Sequence, residues 1–377
     1  MDPMNTITAD AVLFAPENPL VFARAGQLDY VTVHYETYGT LNEDKSNAVF
    51  ICHALTGDAH SGGAGDPRTK TKPGWWHIMI GPGKPVDTDR FFVISPNLLG
   101  GCRGTTGPSS INPNTGQSYG LDFPLLDMCD LVTVHQRLMA HLGIERLLAV
   151  MGGSLGGMQV LQWALTAPTE MANAIIIAAS SRLTTQNIAF SAVAREAIMR
   201  DPGFKDGRYI EAGTKPTEGL SVARMMAHLT YMSEDRLGDR FGRNPQNADF
   251  TPGFEADFAI ESYLRHQAKV FLPRFDALSY LYLTRVMDYF DPFADPDATK
   301  LIADNPMPTL VCSFASDWRF SSEQSKVVVA ELANAHVEVT YREFQAGVGH
   351  DSFLMETRGY TKLVQTFLNR ALAEVNK

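Results

Sequence analysis

The strongest constraint on this chain is the stretch Leu147-Leu148-Ala149-Val150-Met151-Gly152-Gly153-Ser154-Leu155-Gly156-Gly157-Met158. A run of branched and long apolar residues, suited to a buried parallel strand, stops at glycines set around one serine. A helix-forming segment follows from Met158 to Ala167. Strand, sharp turn and helix in this order make a nucleophile elbow. Gly152 and Gly156 flank Ser154 at two residues on either side, where a Cβ would collide as strand and helix close on each other. The turn lifts the Ser154 hydroxyl clear of the sheet and aims the first N–H groups of the new helix at whatever it attacks. Ser154 is therefore the candidate nucleophile; the bland alternative is a glycine-rich turn with an idle serine.

With 377 residues and 45% hydrophobic content, the chain can bury a large core and carry an insertion within one α/β domain. The net charge of -10 and the lack of a Lys/Arg run argue against nucleic-acid binding. Cys52, Cys102, Cys129 and Cys312 are scattered without the spacing of a zinc site or a disulfide framework, which points to reduced thiols in the cytoplasm. From Met1 to Pro19 there are acids and prolines where a signal peptide needs a basic start and an apolar run. Apolar stretches such as Ala174 to Ala179 fall far below the roughly 20 residues that span a bilayer.

Taken in order, Thr32 to Tyr38 alternates as a half-exposed strand and Ala48 to Cys52 is a continuous apolar one, leading into His53-Ala54-Leu55-Thr56-Gly57-Asp58-Ala59-His60 and a Gly-rich segment to Gly65. Phe91 to Ser95 reads as a strand broken by Pro96. The Gly/Pro/Ser/Thr/Asn-rich loop from Asn97 to Gly120 is too long to be a mere connection. Asp130 to Leu142 has helical apolar spacing with Asp130 able to cap, and the elbow and the strand Ala174 to Ala179 follow. From Arg182 to about Ala298 the rhythm changes to successive helices: Gln186 to Arg200, Ser221 to Tyr231, Phe258 to Phe271 and Ala277 to Tyr289. Strands resume at Thr309 to Ser313 and Val337 to Tyr341, and a last helix runs from about Phe353 to Val375. The fold class is α/β: a mostly parallel sheet flanked by helices, formed by residues 1–181 and 304–377, with 182–303 inserted as a helical lid.

An elbow serine needs a base, and the base an orienting carboxylate, in chain order Ser, Asp or Glu, His. Asp317 follows the strand Thr309 to Ser313, and His350 lies in the glycine-rich turn after the last strand. Either alone would pass for a turn aspartate or a surface histidine; together they complete a triad with Ser154. The backbone N–H groups of Leu55, in the loop after the Ala48 strand, and of Leu155 are the expected oxyanion donors. His53 and His60 lack a third ligand nearby, so no metal is expected.

Four motifs carry more than a triad: His53-Ala54-Leu55-Thr56-Gly57-Asp58, Asn97 to Pro108, Gly152 to Gln159, and Gly349-His350-Asp351. Together they resemble the homoserine O-acyltransferase family of α/β-hydrolase fold, from about Pro19 to the final helix. The resemblance implies ping-pong transfer: acyl-CoA acylates Ser154, CoA leaves, and the hydroxyl of L-homoserine takes the acyl group, opening methionine biosynthesis. It implies Arg224 on the homoserine carboxylate, Asp351 on its ammonium, no metal or prosthetic group, and a homodimer with lid helices at the contact. Read from the residues alone, Arg224 sits mid-helix among Ala223, Met225 and Met226, and Asp351 doubles as a cap for the last helix.

The family uses acetyl-CoA or succinyl-CoA, and members that look like succinyl users carry arginine after the Asp-Trp pair. Here Asp317-Trp318 is followed by Arg319, whose planar fork can accept the terminal carboxylate of succinyl. One charge-assisted bond of ~1.5–3 kcal/mol corresponds to a preference of roughly 10- to 150-fold. The alternative for Arg319 is an ion pair with Glu323, four residues on. The expected activity is homoserine O-succinyltransferase. The alternatives are the acetyl-CoA enzyme, a serine O-acyltransferase, whose acceptor differs by one methylene worth ~1–3 kcal/mol, and an esterase of the same fold.

Overall fold

The computed structural model describes residues 4–63, 65, 72–246 and 252–375. Residues 1–3 and 376–377 of the expected sheet domain and 247–251 of the expected insertion lie outside the described residues, as do 64 and 66–71. Eight strands form the main sheet: β1 (Ile7–Phe14), β2 (Val31–Tyr38), β3 (Ala48–Cys52), β4 (Phe92–Pro96), β5 (Ala149–Gly153), β6 (Ala174–Ile177), β7 (Thr309–Phe314) and β8 (Val339–Phe344). Their spatial order is β1-β2-β4-β3-β5-β6-β7-β8. β2 pairs antiparallel with both neighbours, while every pairing from β4 to β8 is parallel.

The central strands are apolar without alternation because both faces are covered. Phe50, Val150, Ile176 and Val311 pack with α1 (Met128–His141) and α2 (Leu155–Thr166) into one core. Their chain neighbours Val49, Met151, Ile175 and Leu310 point to the opposite face and pack with α10 (Tyr360–Val375). The elbow sits at the C-terminal end of β5 near the middle of the sheet, where ligands of open parallel sheets bind.

Between β6 and β7 the described residues hold no strand of the main sheet. They hold α3 (Thr185–Arg200), α4 (Thr217–Tyr231), α5 (Glu234–Phe241), α6 (Ala259–Phe271), α7 (Ala277–Tyr289) and α8 (Lys300–Asp304). Another helix, α9 (Ser322–Asn334), lies between β7 and β8. No helix among the described residues is long and apolar enough to cross a membrane.

Several boundaries differ from the sequence reading. The elbow helix begins at Leu155, not Met158, since Gly156 and Gly157 pack against β3 and β6 and are held helical despite low propensity. Asp127 caps α1, and Asp130 answers from the third helical position in a reciprocal capping box. Pro96 ends β4 instead of breaking it. β8 starts two residues later and extends to Phe344. The final helix starts at Tyr360, so Asp351 is not its cap but lies in a separate 3-10 turn, His350–Leu354.

Helices α3 and α7 are joined by a buried ion pair. Arg195 Nη2 lies 2.6 Å from Asp288 Oδ2 with both side chains 4% exposed, and Arg195 Nη1 donates to Thr284 Oγ1 at 3.1 Å. Removing one partner leaves a charge in low dielectric, so Asp288→Ala should destabilise the fold by about 3–5 kcal/mol in denaturant titration. The double replacement Arg195→Met with Asp288→Leu should recover most of that loss.

Candidate active site

Ser154 adopts φ 60 and ψ -127, a left-handed conformation rare for a residue with a side chain. The flanking glycines explain how the strain is held. A Cβ on Gly156 would lie 2.0 Å from the Cys52 carbonyl oxygen, and one on Gly152 would lie 2.5 Å from the backbone of Gly156. The Ser154 N–H is anchored on Ile177 O at 3.0 Å. Ser154 is 6% exposed, so it sits in a covered pocket and not at an open turn tip.

The structure brings Ser154, His350 and Asp317 into one hydrogen-bonded chain. Ser154 Oγ is 2.8 Å from His350 Nε2, and His350 Nδ1 is 2.7 Å from Asp317 Oδ2. Asp317 Oδ1 accepts from the N–H groups of Arg319 and Phe320 at 3.0 and 2.9 Å, which fixes the carboxylate plane. An ionised Asp317 accepts from Nδ1–H and leaves the Nε2 lone pair facing the serine hydroxyl. Phe320 and Phe353 pack on the imidazole at ring-centroid distances of 5.0 and 5.5 Å. The histidine turn is held from two sides. Gly349 N–H donates to Ser316 Oγ at 2.9 Å, and Ser233, at the corner between α4 and α5, donates from N to Val348 O at 3.0 Å and from Oγ to Gly347 O at 2.6 Å.

The amides of Leu55 and Leu155 have no protein acceptor among the described residues. The loop bearing Leu55 is tied to the elbow helix by Gln159, whose amide donates to His53 O at 3.2 Å and Leu155 O at 3.1 Å. Gln159 Oε1 faces buried His135 at 2.8 Å, and burial lowers the His135 pKa to about 4, keeping that ring neutral. Gln159 was within a motif quoted above without a role of its own; a buried glutamine one turn into an apolar helix was the available signal. His53 Nε2 accepts from Leu98 N–H at 3.1 Å, which leaves Nδ1–H for Ala54 O at 2.7 Å. His60 instead pairs with Glu36. Among the described residues no group of three His, Cys, Asp or Glu is placed to hold a metal ion.

Arg224 and Arg319 bring positive charge to the same region. Arg224 lies over Phe271 at 4.4 Å and Tyr231 at 5.8 Å, and its Nε and Nη1 are buried without a hydrogen-bond partner. Arg319 is 6% exposed, donates from Nη1 to Thr230 Oγ1 at 2.7 Å and lies 5.8 Å over Tyr231, a ring that is itself 6.1 Å from His350. Glu323 is not its partner, since Glu323 pairs with Lys326 at 2.7 Å. No carboxylate among the described residues forms an ion pair with Arg319. Asp351 is half-buried; burial raises its carboxyl pKa, and the charges of His350 and Arg224 oppose the shift. Thr230 and Tyr231, both on α4, were not anticipated as neighbours of Arg319, because only the tertiary fold brings that helix over the turn after β7.

Comparison with known proteins gives four findings. Residues 47–357 match the alpha/beta hydrolase fold. The chain is 55% identical over 361 residues to the homoserine O-succinyltransferase of Nocardioides sp., covering 96% of this chain and 97% of that protein. Among solved structures, the homoserine O-acetyltransferase of Bacillus anthracis superposes with a TM-score of 0.87 at 28% identity, covering 97% of this chain and 98% of that one. Esterase E22 superposes at 0.85 and 28% identity, covering 96% and 100%. The one architecture therefore serves proteins named for transfer and for hydrolysis.

The loop carrying Leu55 is also tied down at its far end, where His60 Nδ1 lies 3.0 Å from Glu36 Oε2 and Tyr38 donates to the same oxygen at 2.5 Å. The Glu36 bond raises the His60 pKa from 6.5 to about 9. Burial works against Glu36, yet its bonds to His60 and Tyr38 hold it below the ordinary carboxylate value. A histidine raised in the folded state stabilises fully below its unfolded pKa, and that contribution is lost as pH rises through the folded one. Thermal stability should therefore drop between pH 6.5 and about 9, and the drop should be smaller in His60→Gln when Tm is followed across that range.

Proposed function

The chain belongs to the homoserine O-succinyltransferase family, on the α/β-hydrolase fold, and from that premise we propose that it transfers succinyl from succinyl-CoA to the hydroxyl of L-homoserine. The observation that carries the donor assignment is Arg319, a buried guanidinium without a carboxylate partner among the described residues, two residues from the carboxylate that orients the base. A buried unpaired cation is costly, and a donor that brings its own carboxylate removes that cost. Acetyl-CoA brings none.

In this reading His350 Nε2 takes the Ser154 proton as Oγ attacks the thioester carbonyl, and the N–H groups of Leu55 and Leu155 receive the developing oxyanion. The tetrahedral intermediate collapses with cleavage of the C–S bond, and CoA leaves as the thiol with the proton from His350. The homoserine hydroxyl then gives its proton to Nε2 and attacks the succinyl-serine carbonyl. Collapse releases O-succinylhomoserine, and His350 returns the proton to Ser154. Arg224 holds the homoserine carboxylate through its unpartnered nitrogens, and Asp351 holds the ammonium, which favours the ionised form that burial opposes.

The helices of residues 182–303 serve as the lid domain over the sheet domain formed by 1–181 and 304–377. A homodimer through α3 and α4 is supported by Val193 and Met199 on one and Val222 and Leu229 on the other, all exposed on two helices packed together. A cytoplasmic setting and a place in methionine biosynthesis complete the reading.

Two experiments test it. With homoserine saturating, competition between succinyl-CoA and acetyl-CoA should favour succinyl, and Arg319→Leu should lower succinyl kcat/KM by roughly 10- to 150-fold while acetyl use falls little. Preference of the unmodified protein for acetyl-CoA, or equal impairment of both donors in the variant, would replace the succinyl assignment. For the acceptor, Arg224→Leu should raise the KM for homoserine while single-turnover acylation of Ser154 continues. A matching loss in the acylation half-reaction would move Arg224 from acceptor binding to support of the lid or the donor.

A further inference from the structure

A cavity of about 250 Å³ opens beside the catalytic region and has no role in the chemistry above. Its basic lining comes from three separate segments: Arg103 in the long loop after β4, Lys215 just before α4, and Arg274 between α6 and α7. Arg274 ties the cavity to the reaction centre. Its Nη2 donates to Thr56 O at 2.5 Å, one residue from Leu55, and its guanidinium shares the Phe271 ring with Arg224, at 5.8 and 4.4 Å respectively.

Charge compensation within the cavity is incomplete. Arg103 meets Asp58 only at 3.5 Å, and Lys215 is exposed with no carboxylate paired to it among the described residues. Asp276 is the one acid in the lining, and it is engaged elsewhere, accepting from the Tyr209 hydroxyl and from Ser279 N–H as the cap of α7. Burial and the like charge of Arg224 both push the Arg274 pKa down, so an anion there would relieve the site. The N-terminus of α4 adds to this field. Its cap is Pro216, which supplies no side-chain acceptor, and Pro216 and Thr217 line the cavity. Thr217 N–H is bound by Lys215 O and Gly219 N–H by Asp201, while Glu218 N–H has no acceptor among the described residues. The Glu218 side chain is exposed and outside the lining.

We propose that this cavity is the subsite for the phosphate groups of the acyl-CoA donor, with Arg103, Lys215 and Arg274 as its cationic contacts. The proposal rests on the CoA-dependent reading above and extends it to the far end of the donor. Among the reactants only CoA is a polyanion, and its phosphates must stay outside the covered pocket while the thioester reaches Ser154. Three cations and a helix N-terminus exceed what one carboxylate needs but match multiply charged phosphate. The volume is below the roughly 300–1,000 Å³ that encloses a whole drug-sized ligand, which fits a phosphate seat with the nucleoside left at the rim.

The test compares succinyl-CoA with succinyl-pantetheine, which carries the same thioester without phosphates or nucleoside. The ratio of kcat/KM for succinyl-CoA over succinyl-pantetheine should fall about 10-fold in Lys215→Glu and show a weaker salt dependence than in the unmodified protein. Arg103→Gln should lower the same ratio by a smaller factor. An unchanged ratio in both variants, or equal loss with both thioesters, overturns the proposal. Calorimetry with adenosine 3′,5′-bisphosphate separates the subsite from the donor reading, because it needs no turnover. Binding to the unmodified protein that is lost in Lys215→Glu supports the subsite even if neither thioester is used, and no binding at millimolar concentration refutes it.

Discussion

The contact on which the rest of the site depends is the approach of the elbow helix to the end of β3, where a Cβ on Gly156 would lie 2.0 Å from the Cys52 carbonyl oxygen. Cys52 and Gly152 are register partners in the sheet, so strand pairing and helix packing meet at one point. That meeting forces the positive φ at Ser154 and brings the loop after β3 beside the first turn of α2. Gln159 then bridges the two backbones from the inside. The spacing between nucleophile and candidate oxyanion donors is thus set by packed backbone, which does not need to reorganise when charge develops.

The charges around this frame follow one pattern. The deep ion pair of the scaffold, Arg195 with Asp288, draws both charges from within the protein, although Asp288 Oδ1 has no hydrogen-bond partner. Near the nucleophile, Arg224 keeps buried unpartnered nitrogens and Arg319 has only a threonine hydroxyl. Burying such groups open is unfavourable for folding, and they become favourable only when a ligand supplies the complementary charge. Two cations and one carboxylate, Asp351, lie near the hydrogen-bonded chain of Ser154, His350 and Asp317, an arrangement consistent with the reading proposed above.

Much of this was legible in the sequence, for physical reasons that differ by element. The strand at Ala48–Cys52 and the helix at Ala277–Tyr289 were readable to the residue, since continuous burial and a capping aspartate leave plain patterns. Ser154, Asp317 and His350 could be placed because each follows a strand end in a known order. The edge strand Ile7–Phe14 was missed: Ile7 and Val12 lie on opposite faces and are both exposed, so alternation is weak. Helix α5 was missed for a related reason, being mostly polar on its surface face, and α9 was read only as a helix start near Glu323. The setting of Arg319 against Thr230 was out of reach, because eighty-nine positions of chain separate the two and only tertiary packing joins them.

The two bonds from Ser233 to the histidine turn bear on how reactants come and go. Ser233 belongs to the helices between β6 and β7, yet it grips the backbone just ahead of the imidazole, and a Cβ on Gly349 would lie 2.5 Å from its amide nitrogen. These helices are therefore tied to the turn that carries His350. Swinging these helices away from the sheet would break those bonds or draw His350 off Ser154, so helices and histidine turn are bound to move together.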